Sequence, residues 1–504
     1  MRQLTHYMKN YFYLFALFLF VGVKAQIQNL SGLSTGYLEY NLFLSDQNDN
    51  IIGYALLFNK GLSESDTKVD YEYVILDKNL QKLTNGNYYL PFSRKVDYRA
   101  SNTKFIDNKL VINFRTYNLS KKKYTGFYQV GLDIKNKEVL TQKHIRDYVS
   151  VDIQNSKQLE KLKDAFDWES IDLLQTKGAE GDYYNIYSTI EQSYDFRLLT
   201  QEFEVYDKNF NSLFRKKIPK APLIGNSVLA IQDLKANQLM YHVSKAKLKG
   251  LKAIMEMDSI MVRDLKTNNF SAKINYDANL EEGLIEVNAR FINNKIAVVG
   301  AIRKISGSSP TIGIRRTLYE NNGNVILDKY IYFKDILSDL GFSNKKTDDG
   351  YNISLTDFYN FNDDSFALLL EKKNFRVSRY GDVSKTDGYI LVNFDAEGNM
   401  LNHHILEKSK HIGGLDAYLF TQTNLDDKEL IIYYQDVQEN AFKIKSKELV
   451  VNKFEDGKVT QERLPYKALN SNIEFKNAKY GHILIADFND KDEIISIRLE
   501  KINL

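Results

Sequence analysis

Eight short apolar runs recur along this chain, and they constrain its fold more than any other feature. Their starts are 53 to 76 residues apart, and most of them are continuously apolar rather than alternating with polar residues. A strand of that kind is covered on both of its faces. The runs begin at Ile51, Leu110, Ile186, Leu239, Ile296, Phe366, Leu430 and Ile483.

A turn rich in Asp, Asn and Gly follows each of the first seven runs. The clearest unit spans residues 296–333, where the apolar run is followed by a polar loop, a second strand, a turn at 321–324 and a third strand. Asn and Gly tolerate positive φ, so such a turn favours a hairpin. Each unit therefore predicts four antiparallel strands, here called a, b, c and d in chain order, with the apolar run as strand b.

Two segments bear on how the units are completed. The last unit has strands a, b and c only, and residues 26–33 are expected to supply its strand d, which would close a ring and hide both edges. Residues 156–175 place Leu159, Leu162 and Phe166 on one helical face, which predicts a helical insert.

These four-strand units resemble the β-propeller repeat superfamily, WD40-like and kelch-like in architecture, over the whole chain after residue 25. The likeness lies in the unit and its closure, because the Gly-His and Trp-Asp dipeptides of WD40 repeats and the double glycines of kelch repeats are absent. The resemblance implies an all-β fold: a single β-propeller of four-stranded antiparallel blades, similar to other exported bacterial propeller-like proteins. Eight blades are predicted, with seven as the alternative, because the third unit has a poor strand a.

The first 25 residues have the composition of a secretory signal peptide. Arg2 and Lys9 lie in a polar beginning, residues 11–23 form an apolar core, and Ala25 is a small residue before the expected cleavage site. The core is shorter than the ~20 residues of a transmembrane helix, and an uncleaved anchor is the alternative. We expect a signal peptide at 1–25, one propeller domain at 26–504, no transmembrane segment after cleavage, and a periplasmic or secreted location.

Composition and motifs disfavour several classes of function. The chain has no Cys, which excludes disulfides, thiolate metal sites and Cys nucleophiles. Lys plus Arg is 68 and Asp plus Glu is 65, and three of the basic residues precede residue 26, so the processed chain is formally neutral and a poor candidate for binding nucleic acid. Neither a Gly-x-Ser-x-Gly elbow nor a His-Glu-x-x-His pattern occurs. The sequence predicts no catalytic residue, metal or cofactor.

Basic residues are concentrated in the predicted b–c loops, which share one face of a propeller. The loops of the first seven units carry a formal charge of about +9 in a neutral processed chain. We expect this face to bind an anionic polysaccharide or an acidic protein, and a Lys-rich solvated surface is the alternative. The candidate ligand-binding residues are Lys121, Lys122, Lys123, Lys247, Lys249, Arg303, Lys304, Arg376 and Arg379.

The sequence therefore predicts an exported binding or scaffold protein, of unnamed ligand and oligomeric state, more readily than an enzyme. A propeller-fold carbohydrate-active enzyme, either a glycoside hydrolase or a lyase, is the alternative. Such an enzyme needs a catalytic pair of acids, and acidic residues are too numerous here for the sequence to select one. An outer-membrane β-barrel is a third class. Its strands alternate apolar and polar residues over about ten positions, unlike the runs at 366–370 and 430–434.

Overall fold

A computed structural model shows a chain built from antiparallel β-strands. One helix occurs among the described residues. The structure describes residues 26–29, 32–45, 51–65, 67–106, 108–120, 122–146, 149–152, 171–176, 183–192, 197–206, 212–222, 227–235, 237–249, 252–275, 282–304, 311–339, 352–378, 381–408, 418–440, 443–466, 473–488 and 494–502.

The described residues form eight antiparallel sheets, and seven of them are made from strands that follow one another in the chain. The first sheet is β2–β5, the second β6–β10, the third β11–β14 and the fourth β15–β18. The strands up to this point are β1 (Gln26–Asn29), β2 (Tyr37–Ser45), β3 (Ile51–Leu62), β4 (Lys68–Asp77), β5 (Lys82–Pro91), β6 (Val96–Ile106), β7 (Lys109–Asn118), β8 (Lys123–Asp133), β9 (Glu138–Arg146), β10 (Val149–Asp152), β11 (Ile171–Thr176), β12 (Tyr183–Gln192), β13 (Arg197–Tyr206), β14 (Ser212–Pro222), β15 (Ser227–Lys235), β16 (Gln238–Lys249), β17 (Lys252–Asp264) and β18 (Phe270–Asn275).

The second half of the chain continues the same plan. The fifth sheet is β19–β22, the sixth β23–β26, the seventh β27–β30, and the eighth has the order β31-β32-β33-β1. The remaining elements are β19 (Glu282–Ile292), β20 (Lys295–Lys304), β21 (Thr311–Glu320), β22 (Val325–Tyr332), α1 (Phe333–Asp339), β23 (Asn352–Asn360), β24 (Phe366–Ser378), β25 (Gly381–Phe394), β26 (Met400–Glu407), β27 (Tyr418–Asn424), β28 (Glu429–Asn440), β29 (Lys443–Glu455), β30 (Lys458–Tyr466), β31 (Ile473–Asn477), β32 (His482–Phe488) and β33 (Ile494–Lys501).

The second strand of every sheet carries one of the predicted apolar runs, which confirms strand b of each unit. In β24 the side chains of residues 366–370 are at most 1% exposed, and in β28 those of residues 430–434 are at most 3% exposed. Both faces of these strands are covered because each sheet packs between two neighbouring sheets. The continuous run in the sequence therefore reflects sheet-on-sheet packing on both sides.

Seven hydrophobic clusters join the sheets in order, from the third through the eighth to the first and the second. Strand β11 lies beside β8, which brings the third sheet against the second. First strands of neighbouring sheets approach one another, as β15 does with β19 and β27 with β31. The first strands are therefore innermost around a common axis, and the fold is an all-β propeller. The number of blades in the ring, eight or seven, stays a prediction.

The eighth sheet takes its outermost strand from the beginning of the chain. Strand β1 pairs antiparallel with β33, and Gln26 lies opposite Leu499. The pairing falls within residues 26–33, the segment that the sequence assigned to this strand. Leu484 of the eighth sheet belongs to the same hydrophobic cluster as Tyr54 and Leu56 of the first sheet, so the two sheets also pack face to face.

The helical insert predicted at 156–175 is wrong for its last five residues. Residues 171–175 lie in β11, where Leu173 is the partner of Tyr187 in β12. Pairing with a neighbouring strand overrides the local helical periodicity of this segment. Residues 153–170, which hold the rest of the predicted helix, and residues 1–25 lie outside the described residues.

A short helix does occur in the second long spacing between units, where the sequence suggested one. Helix α1 follows β22 directly, and its residues Ile336 and Leu337 are buried between the fifth and sixth sheets. In the described part of the chain, no helix has the length and apolar character needed to cross a membrane.

Six of the described first strands contain a β-bulge. A bulge inserts one residue into one strand, bends it and re-aims the side chains that follow. In the fourth and sixth sheets the residue after the bulge is an Asp, and its Oδ1 atom accepts a hydrogen bond from the next main-chain N–H. The register shifts lie between Leu38 and Tyr40, Ala100 and Asn102, Ile231 and Asp233, Ile285 and Asn288, Leu355 and Asp357, and Tyr418 and Phe420.

Candidate functional site

A cavity of about 210 Å³ opens near the axis, where the first strands of the fifth to eighth sheets end. Connections between strands a and b lie at this end of the sheets, and the b–c connections lie at the opposite end. The lining combines six apolar or aromatic side chains with amide, hydroxyl and charged groups. Its residues are Ile51, Arg290, Asp357, Phe358, Tyr359, Asn360, Thr421, Gln422, Thr423, Leu425, Asn477, Ala478 and Tyr480.

Asp357 is the one carboxylate among the described residues that line this cavity. Its Oδ2 atom accepts hydrogen bonds from the hydroxyl of Tyr418 at 2.8 Å and from that of Tyr359 at 3.1 Å. Its Oδ1 atom accepts one from the N–H of Phe358 at 2.7 Å. The Tyr359 hydroxyl also lies 2.7 Å from Oγ1 of Thr421, which links the sixth sheet to the seventh. Both oxygens of Asp357 are thus engaged by the protein itself.

The two phenols beside Asp357 remain protonated near neutral pH. Burial, followed by the negative charge of Asp357, raises the pKa of Tyr359 well above its ordinary value. The same two causes raise the pKa of Tyr418. These hydroxyls therefore act as hydrogen-bond donors to the carboxylate, and neither is available as a phenolate base.

Gln422 forms the wall between the seventh and eighth sheets, and its side chain is 5% exposed. Its Nε2 atom lies 2.7 Å from the main-chain oxygen of His482 and 3.0 Å from Oδ1 of Asn477. Its Oε1 atom accepts hydrogen bonds from the N–H of Gly481 and the hydroxyl of Tyr433. The amide therefore holds the a–b turn of the eighth sheet against the cavity wall.

Arg290 lies near the end of β19, and its side chain is exposed toward the cavity. The main chain on either side of it is tied to the fourth sheet. Oε1 of Gln232 accepts a hydrogen bond from the N–H of Ala289 at 3.0 Å, and Oδ2 of Asp233 accepts one from the N–H of Phe291 at 2.8 Å. The backbone that carries the guanidinium group is therefore fixed from a neighbouring sheet.

Those basic residues predicted from the sequence that the structure describes are not brought into this cavity, because they lie near the opposite end of the sheets. Lys122 is exposed in the turn after β7, with a φ of +53°. Lys121 and Arg379 lie outside the described residues. The other members are strand residues rather than loop residues, which corrects the sequence analysis: they are Lys123 in β8, Lys247 and Lys249 in β16, Arg303 and Lys304 in β20, and Arg376 in β24.

The physical reason for this correction is the length of the b–c hairpins. Lys249 is paired with Lys252 and Ser378 with Gly381, so only two residues join the strands in each case. Polar stretches such as Ser-Lys-Ala-Lys-Leu-Lys continue the ladder because backbone pairing does not require apolar side chains. An anion-binding role for this basic face stays a prediction.

The cavity residues carried little signal in the sequence. One weak pattern marks the strand ends that line the cavity: Asn360, Asn424 and Asn477 each lie six residues before the first residue of an apolar run. The side chains that meet in the cavity are separated by tens of residues in the chain. Only the closure of the ring brings them together.

The fold defines the protein as a β-propeller, and comparison with known families adds no activity. A family model described as "Family of unknown function (DUF6770)" matches residues 374–503, less than half of the chain. No curated protein matches the chain.

Three solved structures are similar over most of their own length but at low sequence identity. The β-propeller domain of the Trilobed protease from Pyrococcus furiosus is 11% identical, with 81% of this chain and 96% of that chain covered and a TM-score of 0.34. Polysaccharide lyase Uly1 is 9% identical, with coverages of 93% and 100% and a TM-score of 0.40. An alpha-L-arabinanase of Penicillium chrysogenum is 8% identical, with coverages of 66% and 93% and a TM-score of 0.32. Likeness at this level carries no inference about activity or ligand.

Proposed function

We propose that this protein is an exported β-propeller binding and scaffold module whose ligand site is the axial cavity. The observation that supports it is the convergence of polar side chains from the first strands of four consecutive sheets on one small space. Small-molecule sites combine apolar and aromatic walls with a few placed polar groups. Phe358 and Tyr480 supply aromatic surface here, and Asn360, Thr423 and Asn477 supply polar groups.

The size and chemistry of the cavity favour one carbohydrate ring as the bound group. Its volume of about 210 Å³ is below the ~300–1,000 Å³ of pockets for drug-sized ligands. Amide and hydroxyl side chains bond to hydroxyl groups, and an aromatic ring packs against the apolar face of a sugar. A terminal sugar residue of a longer glycan meets both requirements.

The arrangement of carboxylates supports binding over hydrolysis. Glycoside hydrolases place two carboxyl groups about 5 to 10 Å apart across the scissile bond. Among the described residues that line the cavity, Asp357 is the sole carboxylate, and the hydroxyls of Tyr359 and Tyr418 already occupy it. A carboxylate held in this way positions neighbouring side chains rather than exchanging protons with a substrate.

Export is proposed from residues 1–25 and is tested on the protein made in its own host or in a Gram-negative expression strain. We expect the protein recovered by osmotic shock to begin at Gln26 when its N-terminus is sequenced. A chain that keeps residues 1–25 and stays with the membrane fraction contradicts export.

Binding is tested by titration calorimetry of the processed full-length protein against a panel of neutral and acidic trisaccharides. We expect at least one of them to bind, and Thr423→Ala and Asn360→Ala to weaken it roughly five- to tenfold, as the loss of one hydrogen bond predicts. Thr460→Ala, on the exposed outer strand β30, is the matched control and should bind as the parent does.

The same samples separate binding from catalysis. New reducing ends, or unsaturated products absorbing in the ultraviolet, would support the carbohydrate-active enzyme instead. A panel in which no trisaccharide binds, or in which both cavity variants bind like the parent, contradicts the proposed site.

A further inference from the structure

We propose that the axial cavity recognises a carboxylate-bearing sugar, a uronate, and that Arg290 binds the carboxylate. This inference rests on the proposed function, because it names the ligand class of that same cavity.

The carboxylate and amide acceptor atoms of the cavity are already occupied by protein donors. Asp357 accepts from two tyrosine hydroxyls and one main-chain N–H. Oδ1 of Asn360 accepts from Nη2 of Arg316 at 3.2 Å. Oδ1 of Asn477 accepts from Nε2 of Gln422 at 3.0 Å and from the N–H of Ala478 at 2.8 Å.

The donor groups, by contrast, are unused. Within the described part of the chain, the guanidinium of Arg290, the hydroxyl of Thr423 and the Nδ2 atoms of Asn360 and Asn477 donate to no protein acceptor. Guanidinium supplies five N–H donors and each amide supplies two. A ligand that complements this lining must therefore be rich in acceptors, and a carboxylate is the group that a guanidinium binds with two parallel hydrogen bonds.

The backbone that carries Arg290 is also fixed before any ligand binds. The N–H groups of Ala289 and Phe291 are bound by Gln232 and Asp233 of the fourth sheet, so the backbone at Arg290 is fixed. Ala289 is 1% exposed, and successive strand residues point to opposite sides, which leaves Arg290 directed away from the core. Because the backbone is ordered before binding, less conformational freedom is lost when the ion pair forms.

The charge of the cavity lining also favours an anionic ligand. Arg290 has no ion-pair partner among the described residues, while the charge of Asp357 is stabilised by three hydrogen bonds from the protein. The cavity thus presents one cation that makes no ion pair within the described part of the chain, beside hydrogen-bond donors and aromatic surface. A single uronate ring supplies an anion, several acceptor oxygens and an apolar face within the available volume.

The test compares charged and uncharged forms of one ligand by titration calorimetry on the processed full-length protein. The probes are the trisaccharides of galacturonate and glucuronate and their methyl esters, which keep every hydroxyl and lose the charge. We expect at least one acid form to bind tenfold or more tightly than its ester, as a charge-assisted pair predicts. Arg290→Gln should remove that preference, so that the acid and the ester bind with about the same affinity.

Lys458→Gln is the control, because it removes one positive charge from the exposed outer strand β30 and should leave the preference intact. Equal affinity for acid and ester, or an unchanged preference in Arg290→Gln, overturns the uronate inference while binding itself still supports a carbohydrate site. Absence of binding by all four probes overturns this inference. If neutral trisaccharides bind and Thr423→Ala weakens their binding, the proposed carbohydrate site is supported without the uronate inference.

Discussion

The side-chain amide of Gln422 donates a hydrogen bond of 2.7 Å to the main-chain oxygen of His482, across the boundary between the seventh and eighth sheets. Its oxygen accepts from the N–H of Gly481 at 2.9 Å and from the hydroxyl of Tyr433 at 3.0 Å. One buried amide therefore fixes the turn between β31 and β32 and also forms part of the cavity wall.

Replacing Gln422 with Ala should lower the free energy of unfolding by roughly 2–3 kcal/mol, because buried donors and acceptors lose their partners. Urea unfolding followed by circular dichroism measures the change. Thr423→Ala, one position along the same strand, removes a hydroxyl with no partner among the described residues and should stay within about 0.5 kcal/mol of the parent. A Gln422→Ala protein as stable as the Thr423→Ala protein would contradict the role given to this amide.

His242 makes the stability of the fourth sheet depend on pH. Burial lowers its pKa from 6.5 to about 4, and its Nδ1 atom lies 2.9 Å from Nε2 of Gln232. The unfolded chain therefore binds a proton more readily than the folded chain between these values. Its contribution is complete above pH 6.5 and is lost as the pH falls toward 4, by at most about 3 kcal/mol.

The measurement is the free energy of unfolding at several pH values for the parent and for His242→Asn. The Asn side chain keeps an acceptor near the position of Nδ1 and does not titrate. The difference in stability between the two proteins should change between pH 6.5 and 4 in favour of the variant. A constant difference across that range would show that His242 is not the titrating group.

Arg463 should stabilise the folded protein by pairing with two buried acids of the seventh sheet. Its Nη1 atom lies 2.8 Å from Oδ2 of Asp436 and 3.1 Å from Oε2 of Glu448, and those acids are 2% and 6% exposed. Arg463→Met should destabilise the protein by roughly 3–5 kcal/mol at pH 7, because two buried carboxylates lose their cation.

The control for that substitution is an ion pair whose acid is more exposed. Arg315→Met removes the partner of Asp328, whose side chain is 35% exposed, and should cost no more than about 1 kcal/mol. Thermal unfolding of both variants at pH 7 provides the comparison. Equal losses at both sites would count against this account.

Removal of β1 tests closure of the ring. A processed chain that begins at residue 30 leaves the outer edge of β33 unpaired, which should lower the free energy of unfolding by roughly 1–3 kcal/mol and promote self-association. Calorimetry and size-exclusion chromatography report the two effects. Deletion of residues 503–504 is the matched truncation and should change neither. A stable monomer without residues 26–29 would mean that closure depends on packing between the first and eighth sheets alone.

The architecture was predictable because it depends on a pattern that every sheet repeats. Runs such as the one at Phe366 had to be covered on both faces, and the turns after them had to reverse the chain. The prediction of a helix was wrong for the last five residues of the insert, because Ile171 and Leu173 fit a helix locally but pair with β12 in the fold. Local periodicity does not reveal which strand a segment will meet.

The cavity was not predictable for a different reason. Asp357 looks in the sequence like one of many acids near a turn, and Arg290 like one of many surface cations. A bulge in β23 precedes Asp357, and side chains of the fourth sheet fix the backbone of Arg290. The sequence pointed to clustered lysines, whereas the cavity is lined by residues from five sheets.

The pairing of β1 with β33 also sets an order of events for the newborn chain. The other seven sheets form from strands that emerge one after another, but the eighth pairs β1 with β33, which is made much later. Contacts between such distant segments form slowly, and an open array exposes unpaired strand edges until they form. The interval between the synthesis of β33 and the docking of β1 is therefore when this protein is most vulnerable to aggregation and proteolysis.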